Sequence, residues 1–169
     1  MGQWGGGPFE CDGALDEAFA LLNHFVGKVE QIARATGGDR SCILHDAEEL
    51  AANVELLRLV GEAVYRPAMF VPIRGMPLPD PEVIEGWQDE FLARCALLAP
   101  EELEGTPAEL DRFAQEAAAP LSRLAELSRR QSAAAEATHR EVVGAVVAAR
   151  QREATEAGGA EAAPGSSQE

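Results

Sequence analysis

Lysine is almost missing from this chain: Lys28 stands alone beside thirteen arginines. Aromatic residues are also scarce, at 5%, so few large rings are at hand to fill a core. Cysteine is limited to Cys11, Cys42 and Cys95, which are far apart, odd in number and free of any CxxC pair. That pattern argues against a disulfide framework or a zinc site and fits free thiols in a reducing cytosol. Apolar runs are only a few residues long, far short of the roughly 20 that a membrane-spanning helix needs. No charged lead followed by an apolar stretch and a small-residue cleavage site is seen, so no signal peptide is expected. Gly2 invites myristoylation, but Gly6 stands where that motif wants Ser or Thr. Positive charge as a whole is short: 14 Lys plus Arg face 29 Asp plus Glu, a net −15. Such a surface repels nucleic acid and anionic lipid, which both need basic groups, and leaves a basic protein as an admissible partner. Neither a nucleic-acid nor a membrane partner is expected.

Alanine fills much of the space left by the missing rings. The chain holds 31 Ala in 169 residues, within an apolar share of 46%. A thin core between closely approaching helices is the expected result. Arginine over lysine, with abundant alanine, points to a GC-rich and bacterial coding genome. Length alone gives one domain of ordinary size plus a tail.

Three apolar stripes at steps of three and four residues predict three helices. Leu15, Phe19, Leu22, Val26, Val29 and Ala33 mark the first, over about residues 12–35, stopped by Thr36, Gly37 and Gly38. Ile43, Ala47, Leu50, Val54, Leu57, Gly61 and Val64 mark the second, opened by Ser41 and closed by Arg66 and Pro67. A short Gly-Gly-Asp turn between them makes these two helices antiparallel neighbours. Asp80 and Pro81 are a cap and a first-turn proline, starting a third helix along Ile84, Trp87, Phe91, Cys95 and Leu98. Between the second and third helices, residues 66–80 carry too many prolines for a helix and too many apolar side chains for a free linker. They read as a strap lying on the core. Met69, Phe70, Ile73 and Met76 are its candidate interaction surface.

Thr106-Pro107-Ala108-Glu109 is a capping box with proline at the first helical position. The fourth helix is expected to run through Leu110, Phe113 and Ala117 to Pro120, where a proline should kink or break it. Beyond Pro120 the pattern stays helical to about residue 154 on a weakening apolar face: Leu121, Leu124 and Leu127, an alanine-rich stretch, then Val142, Val143, Val146 and Val147. That is a helix leaving the globule or awaiting a partner. The expected division is a helical domain at 1–118, a long Ala-rich helix at 119–154 and a disordered tail at 155–169. The fold class is all-α, a small helical bundle with a glycine-rich lead and a long C-terminal helix.

The lead is the most distinctive stretch. Met1-Gly2-Gln3-Trp4-Gly5-Gly6-Gly7-Pro8-Phe9, followed by Asp12, Ala14 and Asp16, puts two large aromatics on a backbone free to bend. It reads as a clamp pinning Trp4 and Phe9 onto the helices, with Asp12 as a cap. It resembles the start of a family of small bacterial proteins known as domain of unknown function 4259, whose members open Met-Gly-x-Trp-Gly-x-Gly-x-Phe, then Asn-Asp, then an Ala and an Asp. Trp4, Gly5, Gly7, Phe9, Asp12 and Asp16 match. Cys11 stands where the family usually has Asn, and Gly6 where it usually has Thr. The motif covers about the first 16 residues, with a looser likeness through Glu48–Glu62 and the Pro-Leu-Pro start of the third helix, and nothing beyond about residue 105. The resemblance implies a fold and brings no activity.

Chemistry is thinly supported. Asp12 and Asp16, one turn apart, could pair as carboxylates or metal ligands, but carboxylates at a helix start are more often caps. His45-Asp46 is similar to the doublet of metal-dependent phosphohydrolases, but only His24 and His139 remain to complete a site, at no convincing spacing. Cys11 lacks the His and Asn/Asp of a thiol nucleophile site. Gly5-Gly6-Gly7 lacks the GK[ST] of a phosphate loop. No catalytic residue, metal or cofactor is assigned. The expected function is a non-catalytic protein-interaction module of the bacterial cytosol, immunity- or inhibitor-like in one form, binding a protein or itself through the C-terminal helix. A metal-dependent hydrolase using Asp12, Asp16, His24 or His45, and a small-molecule binder with a pocket under the lead and the strap, are the alternatives.

Overall fold

The computed structural model describes residues 12–36, 40–65, 78–98 and 106–160. These form four helices, α1 (Asp12–Ala33), α2 (Arg40–Val64), α3 (Pro81–Cys95) and α4 (Pro107–Ala160), with no strand among the described residues. The protein is all-α. The lead, with Trp4, Gly5, Gly7, Phe9 and Cys11, lies outside the described residues, as do the strap residues Met69, Phe70, Ile73 and Met76 and the tail from 161 onward. Asp12 is the first residue of α1.

The stripes read from the sequence are the core. Leu22 and Val29 of α1, the whole set from Ile43 to Val64 on α2, and Ile84, Trp87, Phe91 and Cys95 of α3 are buried. Phe19 and Val26 are only partly buried, and Ala18 and Ile32 complete the α1 face. Leu98, just past the end of α3, also turns inward. Small side chains do much of the spacing: Ala47, Ala114, Ala118 and Ala125 sit in the core among the leucines, so the helices approach closely, as the composition implies.

Around the bundle the helices follow the order α1, α2, α4, α3, with each packed on the next and α3 closing the ring against α1. Polar contacts fix the directions. Lys28 of α1 meets Glu49 of α2 at 3.8 Å, and the Arg94 guanidinium at the end of α3 donates to the Ile32 carbonyl at the end of α1. Hence α1 and α2 are antiparallel, while α3 runs parallel to α1. On the other side, Ser122 Oγ donates to Gln88 at 3.0 Å and Ser128 Oγ to the Pro79 carbonyl at 2.6 Å, so α4 is antiparallel to α3. Helices α2 and α3 are therefore diagonal. Leu78, just ahead of α3, is buried against Gly61, where an added Cβ would lie 2.6 Å from its Cδ2. A side chain at position 61 would require Leu78 to shift.

Two helix starts differ in kind. At α4, Thr106 N–H donates to Glu109 Oε2 at 2.7 Å and Glu109 N–H to Thr106 Oγ1 at 3.4 Å, the reciprocal capping box expected. At α3, Asp80 holds the cap position and Pro81 the first turn, but the Asp80 side chain makes no capping bond. Its carbonyl accepts from Val83 and Ile84 instead.

Pro120 neither breaks nor ends a helix: α4 runs unbroken from Pro107 to Ala160. Proline removes one N–H and crowds one preceding carbonyl, that of Glu116. Glu116 is exposed, and Ala118 and Leu121 beside Pro120 are fully buried. Packing on both sides of the proline keeps α4 continuous. The core does not stop at residue 118 but continues through Leu121, Leu124 and Leu127 to Gln131. From there α4 overhangs the bundle by about 43 Å at 1.5 Å per residue. Residues 155–160, expected in a tail, belong to this helix.

Candidate functional site

A charged residue rarely enters a core unless it is paired, and α3 brings one in. Arg94 follows Phe91 by three residues, so helical spacing turns it toward the α1–α2 end of the bundle. Only 5% of it is exposed. Its guanidinium donates to the Ile32 carbonyl at 3.1 Å and makes a close charge-assisted hydrogen bond with Asp46. Three helices are tied together at this point. The neighbouring Cys95 thiol is pushed above its ordinary range by burial, with the Arg94 charge opposing that shift, so it stays protonated and unreactive. Outside Arg94, on the surface, Arg34 just past the end of α1 bonds Glu30 of that helix and reaches Glu90 of α3 at 3.1 Å.

A crevice of about 310 Å³ opens beside this cluster between α1 and α2, lined by Lys28, Gln31, Ile32, Ala35, Asp46 and Glu49. Its charges already face one another: Lys28 pairs with Glu49 and Asp46 with Arg94.

The hydrolase candidates are not gathered. Asp46 is committed to Arg94, and His45 beside it is exposed with its nearest acid, Glu49, at 3.9 Å. His24 lies on α1 about 12 Å of helix rise from Ile32, which marks the level of Asp46. It is exposed and meets the Phe25 ring edge-on at 5.5 Å. Asp16 is exposed, and His139 is on the α4 overhang. No three His, Cys, Asp or Glu side chains converge as a metal site among the described residues.

The opposite end of the bundle holds polar contacts that sequence reading missed. Tyr65 donates to the Gln131 carbonyl at 2.6 Å, Gln131 Nε2 to the Gly61 carbonyl at 3.3 Å, and Ser128 to Pro79. Ser128 and Gln131 look like solvent-facing residues in an alanine-rich stretch, but both are buried. Their only signal was position: they continue the stripe of Leu121 and Leu124 at steps of three and four.

That stripe leads to the most unusual surface of the molecule. Continued past Gln131 it passes through Ala135, His139, Val142, Val146 and Ala149. Val142, Val143, Val146 and Val147 are each 44–48% exposed. The face that α2 and α3 cover in the bundle therefore carries on, and from His139 to Thr155 every residue except Ala148 is exposed. Valine is a mediocre helix former and Gly144 among them a poor one. Nothing lies within 4 Å of where a Gly144 side chain would be. No contact within the described chain rewards valine here.

Fold and surface together define a four-helix bundle with a solvated helical arm. Comparison with protein-family models, with curated proteins and with solved structures finds no match. Among the described residues no helix is long and apolar enough to cross a membrane.

Proposed function

We propose that this protein is a non-catalytic interaction module of the bacterial cytosol, in which the bundle holds α4 as a docking arm. The bare continuation of the α4 core stripe carries this reading: exposed Val142 and Val146 lie on the same helical side as buried Leu121, Leu124 and Ser128, with Val143 on its flank. An apolar helix face with no partner of its own is a common way to seat a second protein. An immunity- or inhibitor-like role is one concrete form. The lead adds a second proposal, that the chain is a divergent member of the family known as domain of unknown function 4259. Its support is the match at Trp4, Gly5, Gly7, Phe9, Asp12 and Asp16.

The test is chemical cross-linking of the full chain in cells, alongside a V142E/V146E variant. Cross-linked species, whether with itself or with another protein, should form with the natural chain and vanish with the variant, while helical content stays unchanged. Equal cross-linking by both chains would defeat the reading.

A further inference from the structure

We propose that the partner of the α4 arm is a second copy of this chain, paired antiparallel through residues 132–156. This rests on the reading of α4 as a docking arm and says what the arm docks.

Charge supports it first. The chain as a whole is −15, which opposes self-association. Residues 132–156 carry little of that excess. They hold four glutamates (Glu136, Glu141, Glu153, Glu156) and three arginines (Arg140, Arg150, Arg152), a net −1. Two copies meet here with far less repulsion than the charge of the whole chain would bring.

Pattern fixes the direction. Steps of four and three give a seam of Ala135, His139, Val142, Val146, Ala149 and Glu153, a heptad alternation of the kind helices use to pair. In a parallel, in-register pair each seam residue faces its own copy, so Glu153 meets Glu153 and His139 meets His139. In an antiparallel pair centred on Gly144, Val142 meets Val146 of the other copy, His139 meets Ala149, and Glu153 meets only the small Ala135. On one flank Glu136 then lies beside Arg150 of the other copy, twice by symmetry, and Val143 lies beside its own equivalent at the centre. Only the antiparallel register brings opposite charges together and sets His139 and Glu153 against small alanines.

Length is consistent with the same register. Centred on Gly144, residue 131 of one copy stands opposite residue 157 of the other. Gln131 is the last buried residue of the bundle, and α4 ends at Ala160. The paired segment thus fills the overhang, and each tip reaches the other bundle about 40 Å from its own.

The test uses the full chain in two measurements. Mass in solution across a hundredfold concentration series should rise to about twice 18.0 kDa, and V142E/V146E should shift the dissociation midpoint at least tenfold, with helical content retained. In a background with Cys11 and Cys42 changed to serine, mild oxidation should join two chains through V143C but not through A135C. Equal joining through A135C would mean a parallel pair and overturn the register. A monomer throughout the series would overturn self-pairing. The wider reading is judged separately: if a monomeric chain still cross-links another protein in cells through its valines, the docking arm stands with a different occupant, and if it cross-links nothing the arm reading falls as well.

Discussion

The two halves of α4 carry one face and meet two fates. From Leu110 to Gln131 the face is covered by α2 and α3, with Leu121 and Leu124 fully buried. From Ser132 onward the same three- and four-residue steps continue, but the valines are nearly half exposed. Periodicity decides that a segment is helical and which side is apolar. Whether that side is covered depends on what other elements reach it, and α2 ends and α3 begins at the level where the overhang leaves the bundle. The bundle half owes its helix to packing, the overhang to alanine-rich propensity.

The sharpest way to break this comparison is to cut one apolar side chain in each half. Leu124→Ala removes a fully buried side chain and should cost about 2–5 kcal/mol. Val147→Ala, on the overhang and off the proposed pairing seam, should change stability by less than about 0.5 kcal/mol. Urea denaturation at a concentration where the chain is monomeric measures both. Similar losses would mean that the overhang is packed on something within its own chain.

Next in size is Asp46→Ala. The change leaves the buried Arg94 guanidinium without its carboxylate, although the Ile32 carbonyl remains. Removing one partner of a buried pair is strongly destabilising, and Asp46 is about a fifth exposed, so a loss of about 2–4 kcal/mol is expected. The same unfolding measurement checks it. A loss below about 1 kcal/mol would show that water substitutes for Asp46. This pair also marks a limit of sequence reading. Arg94 sits in a segment that reads as a plain amphipathic helix, and its partners are 48 and 62 residues away. A charged residue is assigned to solvent by default, because nothing local reveals a distant carboxylate.

The three large apolar stripes were legible for the opposite reason. Each combines large side chains at helical spacing with stop signals that act locally, so α1, α2 and α3 lie close to where composition and spacing put them. The candidate surface was half legible. Val142–Val147 stood out as an apolar return after an alanine-rich gap, but their exposure follows from the lengths of other helices. Ser128 and Gln131 were hidden because polar side chains were read by type rather than by position in the stripe.

Pro120 offers a test inside the covered half. A proline in a helix interior is about 3 kcal/mol less favourable than alanine, yet α4 passes through it. Pro120→Ala should restore the hydrogen bond to the Glu116 carbonyl and stabilise the chain by about 1–2 kcal/mol, less than the full propensity difference because the half-buried ring also packs on its neighbours. A rise in thermal midpoint with unchanged helical content is the expected readout. A fall would mean that the packing of the proline ring outweighs the missing hydrogen bond.

The smallest effect belongs to the start of α4, where structure is encoded within four residues. Glu109 is held below the ordinary carboxylate value of 4.5, first by the Thr106 backbone N–H and then by the Thr106 hydroxyl. A carboxyl group with a lowered folded-state pKa stabilises the fold fully above its unfolded value and loses that contribution as pH falls through the folded one. Glu109→Gln should therefore lower the thermal midpoint slightly near neutral pH, and the gap from the natural chain should close as the pH is taken below 4.5. A gap that persists unchanged below that pH would mean that Glu109 does not act through its charged contact with Thr106.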